Sequence, residues 1–143
     1  MATDPFDLDR FRVAQDAHGT YDDALAELRR GRKTTHWMWF VFPQIAGLGR
    51  SSTAVFFAIR SLDEARAYLA DPVLGTRLRE AAEVVADAPA ESAEALLGGI
   101  DAAKLRSSMT LFAHAAPPEE DVYRRVLDRW FDGEEDGATL ERI

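Results

Sequence analysis

Apolar residues recur along most of this chain at steps of three and four, the spacing of one face of an α-helix. The clearest stripe is Leu74, Leu78, Ala81 and Val85, with Asp71-Pro72 placed to start the helix just ahead of it. Similar stripes run through Leu8 and Phe11 behind Asp4-Pro5, through Tyr21, Ala24, Leu25 and Leu28 behind Thr20, and through Leu62, Ala65 and Leu69 behind Ser61. Ser61 with Glu64 forms a capping-box pattern, and Gly31 is placed to end the second helix. Later, Asp101 caps a stripe of Ala102, Leu105, Met109 and Phe112. Pro117-Pro118 breaks that pattern, and Val122, Val126, Trp130 and Phe131 stripe the last strong helix. The polar stretch DAPAES, residues 87–92, reads as a surface linker. The chain shows no internal repeat and no second domain boundary.

Two short apolar runs, residues 37–42 and 54–59, do not declare a period. They read either as two helices or as a hairpin joined by a glycine loop. Thr34 and Thr35 as caps and Pro43 as a stop favour helix for the first. A helix of that composition is apolar nearly all round and belongs at the centre of a domain. The pattern therefore predicts an all-α fold, a compact single-domain multi-helix bundle around a central aromatic-rich helix.

Composition narrows the function classes. A chain of 143 residues, 47% hydrophobic and 29% charged, is long enough to bury one core without staples. Cysteine is absent, which excludes disulfides and thiolate metal sites and suits a reducing, cytoplasmic compartment. The start, MATDPFDLDR, has neither the basic nor the apolar region of a signal peptide. No apolar run approaches the roughly 20 residues that span a bilayer. A net charge of -8 repels phosphate backbones, so neither membrane nor nucleic acid is the expected partner. Residues 132–143 carry part of that charge and read as an acidic, loosely held tail.

Candidate chemistry gathers in HWMWFVFPQIAGLGRSS, residues 36–52. Phe40, Val41 and Phe42 read as core. Trp37 and Trp39 beside a histidine read equally as pocket walls, since a buried indole N–H needs a partner. His36 is a candidate acid–base group, because imidazole titrates near neutral pH, or else a histidine at a helix end. Gly47 and Gly49 permit close approach to a ligand. Arg50, with Ser51 and Ser52 at a helix start, suits an anion, though a tight turn with a solvated arginine explains the same residues. The match to G-x-G-x-x-G fails at Ser52, the Walker Gly-Lys is missing, and no cofactor is implied. Gln44 is placed to read a polar ligand edge. Asp101, Lys104 and Ser108 share a helix face and form a second polar cluster, either functional or a salt-bridged flank. No histidine has metal-ligand spacing, so no metal site is expected.

The segments FRVAQ, GRKTTHWMWFVFPQIAGLGRSS, EARAYLADPVLGTRL and GGIDAAKLRSSMTLF follow one another in that order. Together they resemble the bacterial family called domain of unknown function 1810, whose members sometimes carry the label calpastatin. The resemblance runs from about residue 11 to residue 140. It implies a mainly helical cytoplasmic domain of bacteria and supplies no activity. The calpastatin label implies a disordered inhibitor, which a chain with a patterned core does not fit.

The residues then suggest one pocket. Its candidate catalytic groups are His36, Asp101 and Lys104. Its candidate binding groups are Trp37, Trp39, Gln44, Gly47, Gly49, Arg50, Ser51, Ser52 and Ser108. The expected occupant is a small anionic metabolite with a flat ring, nucleotide-like, such as ADP-ribose or another NAD derivative, which is bound and, on an enzyme reading, hydrolysed. The competing expectation is a non-catalytic protein-interaction module.

Overall fold

α8 (Gly99–Ala115) is the longest helix, and α5 (Leu62–Ala70), α7 (Ala93–Leu97), α9 (Val122–Phe131) and α10 (Gly137–Leu140) all pack against it. The computed structural model describes residues 3–143. α6 (Leu74–Ala86) fills the gap between α5 and α9, and α2 (Thr20–Arg30) packs on α6. α1 (Asp9–Asp16) lies against α2 and against α3 (Met38–Val41), and α4 (Ser52–Phe56) follows the glycine loop. The core between these helices holds Phe11, Trp37, Phe42, Tyr68, Phe112 and Tyr123, all fully buried. Burial pushes the Tyr123 hydroxyl up to about 12.

The stripes predicted these helices well, and the fold is an all-α bundle with no named strand among the described residues. Side-chain caps stand where the sequence placed them at Ser61 and Asp71, and of the candidates ahead of α4 it is Ser51 that caps: Ser51 accepts from the Ala54 amide, Ser61 from that of Glu64, and Asp71 from that of Leu74. Thr20 is different. Left-handed Gly19 precedes the helix, and the Thr20 hydroxyl donates back to the Ala17 carbonyl.

The central helix is α8, not the aromatic run. α3 is one turn long, and Thr34 and Thr35 do not cap it. Their donors are taken by Glu27, a buried carboxylate on α2 that accepts from both amides, from the Thr35 hydroxyl and from the indole Nε1 of Trp37 at 3.0 Å. The second apolar run is also one helical turn. The two segments leave their turns side by side as a single parallel bridge, not a hairpin. The Ile59 amide donates to the Gln44 carbonyl at 2.8 Å, and that of Ala46 donates to the Ile59 carbonyl at 2.7 Å. Asp101 is not a cap either. α8 starts at Gly99, and Asp101 sits in its first turn between Lys33 and Lys104.

The acidic C-terminal stretch, which composition reads as loosely held, is docked on α8. Arg106 donates to the carbonyls of Glu134 and Glu135. Burial tends to raise the Glu135 pKa, but the hydrogen bonds from Arg124 and His114 win and hold it below the usual range. Asp136 caps α10 and accepts from Ser107, and Thr139 is fully buried.

Glu27 makes this packing pH-dependent. Burial alone would raise its pKa, but the donors from Thr35, Thr34 and Trp37 overcome that and hold it at about 2, against an ordinary 4.5. A depressed carboxylate stabilises the fold fully above its unfolded value and loses that contribution as pH falls through the folded one. Stability should therefore drop by about 3 kcal/mol between pH 4.5 and pH 2 on account of this group. Urea unfolding of Glu27→Gln should lose that part of the acid slope. An unchanged slope would mean that Glu27 is not its source.

Candidate functional site

Two clefts flank the glycine loop. The first, about 410 Å3, lies between the N-terminal segment, the 44–47 backbone and α4. Its apolar wall includes Ile45, Phe56 and Phe57, and Phe57 is anchored by ring contacts to Phe11 at 5.8 Å and Phe40 at 5.2 Å. Asp7, Arg10, Gln44 and Arg60 supply its polar groups. Arg10 is the floor. Its side chain donates to the carbonyls of Phe6, Asp7, Phe56 and Ala58 and to the Glu64 carboxylate at 2.7 Å, with 5% and 0% of the two side chains exposed. One buried guanidinium thus ties both sides of the cleft to α5.

The second cleft, about 470 Å3 and more open, lies between residues 48–51, α8 and the docked C-terminal segment. Lys104 lines it and stands over the Trp39 ring, 4.5 Å from the centroid, a cation–π contact. Asp101 steadies that ammonium from 3.5 Å and pairs more closely with Lys33 at 2.9 Å. Arg50, on the opposite wall, is exposed and has no carboxylate partner among the described residues. Asp136 also lines this cleft, but its Oδ2 already accepts from Ser107 and from the amide and hydroxyl of Thr139.

Trp39, Gln44, Gly49 and Ala54 line both clefts, so the two form one composite groove with a shared wall. Trp39 is half-buried. The indole N–H groups of Trp37 and Trp130 are bonded to Glu27 and to the Val85 carbonyl, whereas that of Trp39 has no partner among the described residues. The loop is tightly built. Gly47 has φ +100°, and a Cβ there would lie 2.8 Å from Arg142 Nε, so the C-terminal segment closes directly on it.

A family model described as a protein of unknown function, DUF1810, matches residues 5–143. The chain belongs to the DUF1810 family. Its structure is similar to the crystal structure of the conserved hypothetical protein Rv1873 from Mycobacterium tuberculosis, with a TM-score of 0.91 and 46% identity over 96% of each chain. No curated protein matches the chain. In this DUF1810 chain both clefts lie wholly within the matched residues. Among the described residues no group of three or more His, Asp or Glu is gathered to hold a metal ion, and no helix is long and apolar enough to cross a membrane.

Seven of the sequence-predicted site residues line the groove. Gly47 lines the first cleft, Arg50, Ser51 and Lys104 line the second, and Trp39, Gln44 and Gly49 line both. Five lie outside it. Trp37 is fully buried, because one helical turn sends it and Trp39 to different sides. Ser108 is buried with its hydroxyl unpartnered among the described residues. The groove face of α8 runs through Ala103, Lys104 and Ser107, so Ser107 takes the place expected of Ser108. Ser52 begins α4 without lining either cleft, and Asp101 acts only through Lys104. His36 is exposed, lines neither cleft and makes no side-chain hydrogen bond among the described residues. Asp7, Arg10, Phe56 and Asp136 line the groove and were not foreseen.

The two tryptophans should therefore respond differently to truncation. Trp37→Ala should cost about 3–5 kcal/mol, because it empties the core and removes a donor from Glu27. Trp39→Ala should cost only about 1–2 kcal/mol from a half-buried ring. Chemical denaturation measures both, and equal losses would contradict the burial described here.

Proposed function

We propose that the composite groove binds a small anionic metabolite with a flat ring, a nucleotide-like ligand of which ADP-ribose and other NAD derivatives are examples. The observation that carries this reading is the shared Trp39 wall, with an apolar cleft on one side and Lys104 and Arg50 on the other. A ring fits against aromatic side chains in the first cleft. An anionic group reaches past Gly49 to the two cations, which stand out locally on a chain of net charge -8. Lys104 already covers the Trp39 ring on the side of the second cleft, so the ligand ring meets the indole from the first.

Binding has better support than hydrolysis. Of the three candidate catalytic groups, only Lys104 lines the groove, and His36 lies outside it. A second reading, docking of a partner protein, draws on Val55, Phe56 and Ile100, which are 63%, 55% and 78% exposed along the groove rim.

A thermal-shift panel of ADP-ribose, NAD and purine monophosphates tests the ligand reading, since a ligand at 100 times its Kd adds about 2.7 kcal/mol of stability. Arg50→Ala and Lys104→Met should each weaken binding about tenfold at an unchanged melting temperature, while His36→Ala should leave it intact. If both groove variants bind every hit as tightly as wild type, the ligand lies elsewhere. If nothing binds and Phe56→Ser abolishes a stable protein complex, the docking reading replaces this one.

A further inference from the structure

The first cleft holds two polar side chains that the fold does not use. Asp7 lines it, and among the described residues its carboxylate accepts no hydrogen bond and makes no ion pair. Its neighbours are engaged: Asp4 accepts from the amides of Leu8 and Asp9 and pairs with Arg12, and Asp9 pairs with Arg12 as well. The Gln44 side-chain amide lines the same cleft and is likewise without a partner among the described residues. Asp7 is held in the left-handed region at φ +53°, which side-chain-bearing residues rarely adopt. Its carbonyl and that of Phe6 accept from Arg10 Nη1 at 2.8 and 2.7 Å, so the carboxylate is carried on a fixed backbone at the cleft wall.

Asp7 lines only the first cleft, and Lys104 and Arg50 line only the second, with Trp39 and Gln44 on the wall between. Arg10 and Arg60 in the first cleft and Asp136 in the second are bonded within the protein, so in side chains left for a ligand the groove runs from the Asp7 acceptor, past an aromatic wall, to two cations. On the binding reading above, the anion occupies the cationic end and the ring lies against the shared wall. The ring edge furthest from the anion then faces Asp7. An ionised carboxylate only accepts, and its two oxygens match two adjacent N–H donors. We propose that Asp7 is a specificity residue for a ring edge carrying paired N–H donors, the guanine type, with the Gln44 amide donating to the adjacent ring carbonyl. The site then ranks guanosine phosphates above adenosine phosphates, because adenine presents a ring-nitrogen lone pair where guanine presents an N–H. Hypoxanthine keeps one of the two donors and ranks between them.

Calorimetric titration of the full chain with GMP, IMP and AMP tests the ranking. Wild type should bind GMP about tenfold or more tightly than AMP, with IMP between. Asp7→Asn should bring GMP to the AMP level without changing the melting temperature, since asparagine tolerates the left-handed backbone. Asp7→Gly, which suits that backbone and carries no side chain, should do the same. Equal GMP and AMP affinities in wild type, or a GMP preference that survives both variants, overturn the proposal. If all three nucleotides bind equally and remain sensitive to Arg50→Ala and Lys104→Met, the anion site stands and only the Asp7 assignment falls. If no nucleotide or other ring-bearing anion binds, both fall.

Discussion

Arg10 spends every donor it has inside the protein. Its five side-chain hydrogen bonds reach four backbone carbonyls and one buried carboxylate. Two of those carbonyls belong to the N-terminal turn and two to the end of α4 and the segment just after it, while Glu64 sits in α5. Neither segment has a sheet or a long helix to satisfy its backbone, and the guanidinium does that work for both. Glu64, fully buried, needs a cation in return and receives a further bond from the Arg60 amide. Remove this charge and the first cleft loses its floor and the tie between its two sides, so the geometry of that cleft follows from one buried guanidinium.

The second cleft rests on a similar economy of charge. Asp101 stands between two lysines, one nearly buried and one at the groove, and each ammonium lies over an indole, Lys33 over Trp37 and Lys104 over Trp39. Glu27 anchors the Trp37 end of this chain of contacts. The result keeps a positive group fixed at the surface of an acidic protein, where an unpaired lysine would be free to swing into solvent. The docked C-terminal segment completes the wall through Asp136 and Ala138, residues that carry no periodic signal of their own.

The helices were legible because their stripes and caps are local: Ser61, Asp71 and Gly31 act within a few residues of themselves. The stretch 36–52 was legible as a site for the same reason, since its aromatic run and glycine loop are contiguous. What the sequence could not show is which end of a short helix faces which neighbour. Trp37 and Trp39 are two residues apart, and the turn between them sends one into the core, where Glu27 takes its indole N–H, and leaves the other at a groove. The caps expected at Thr34, Thr35 and Asp101 failed because the helices start elsewhere: α3 begins at Met38, beyond the threonines, and α8 begins at Gly99, ahead of Asp101. Arg10 was missed because its partners Phe56, Ala58 and Glu64 lie 46, 48 and 54 residues away, a distance that no local pattern records.

The indole N–H groups offer the most direct test of the composite groove. Two of the three, on Trp37 and Trp130, are bonded within the protein, and the third, on Trp39, stands on the wall shared by both clefts. In an 15N-labelled sample titrated with GMP or ADP-ribose, the Trp39 indole cross-peak should shift progressively while those of Trp37 and Trp130 stay in place. Binding that leaves the Trp39 signal unmoved, or shifts the two internally bonded indoles instead, would contradict the account.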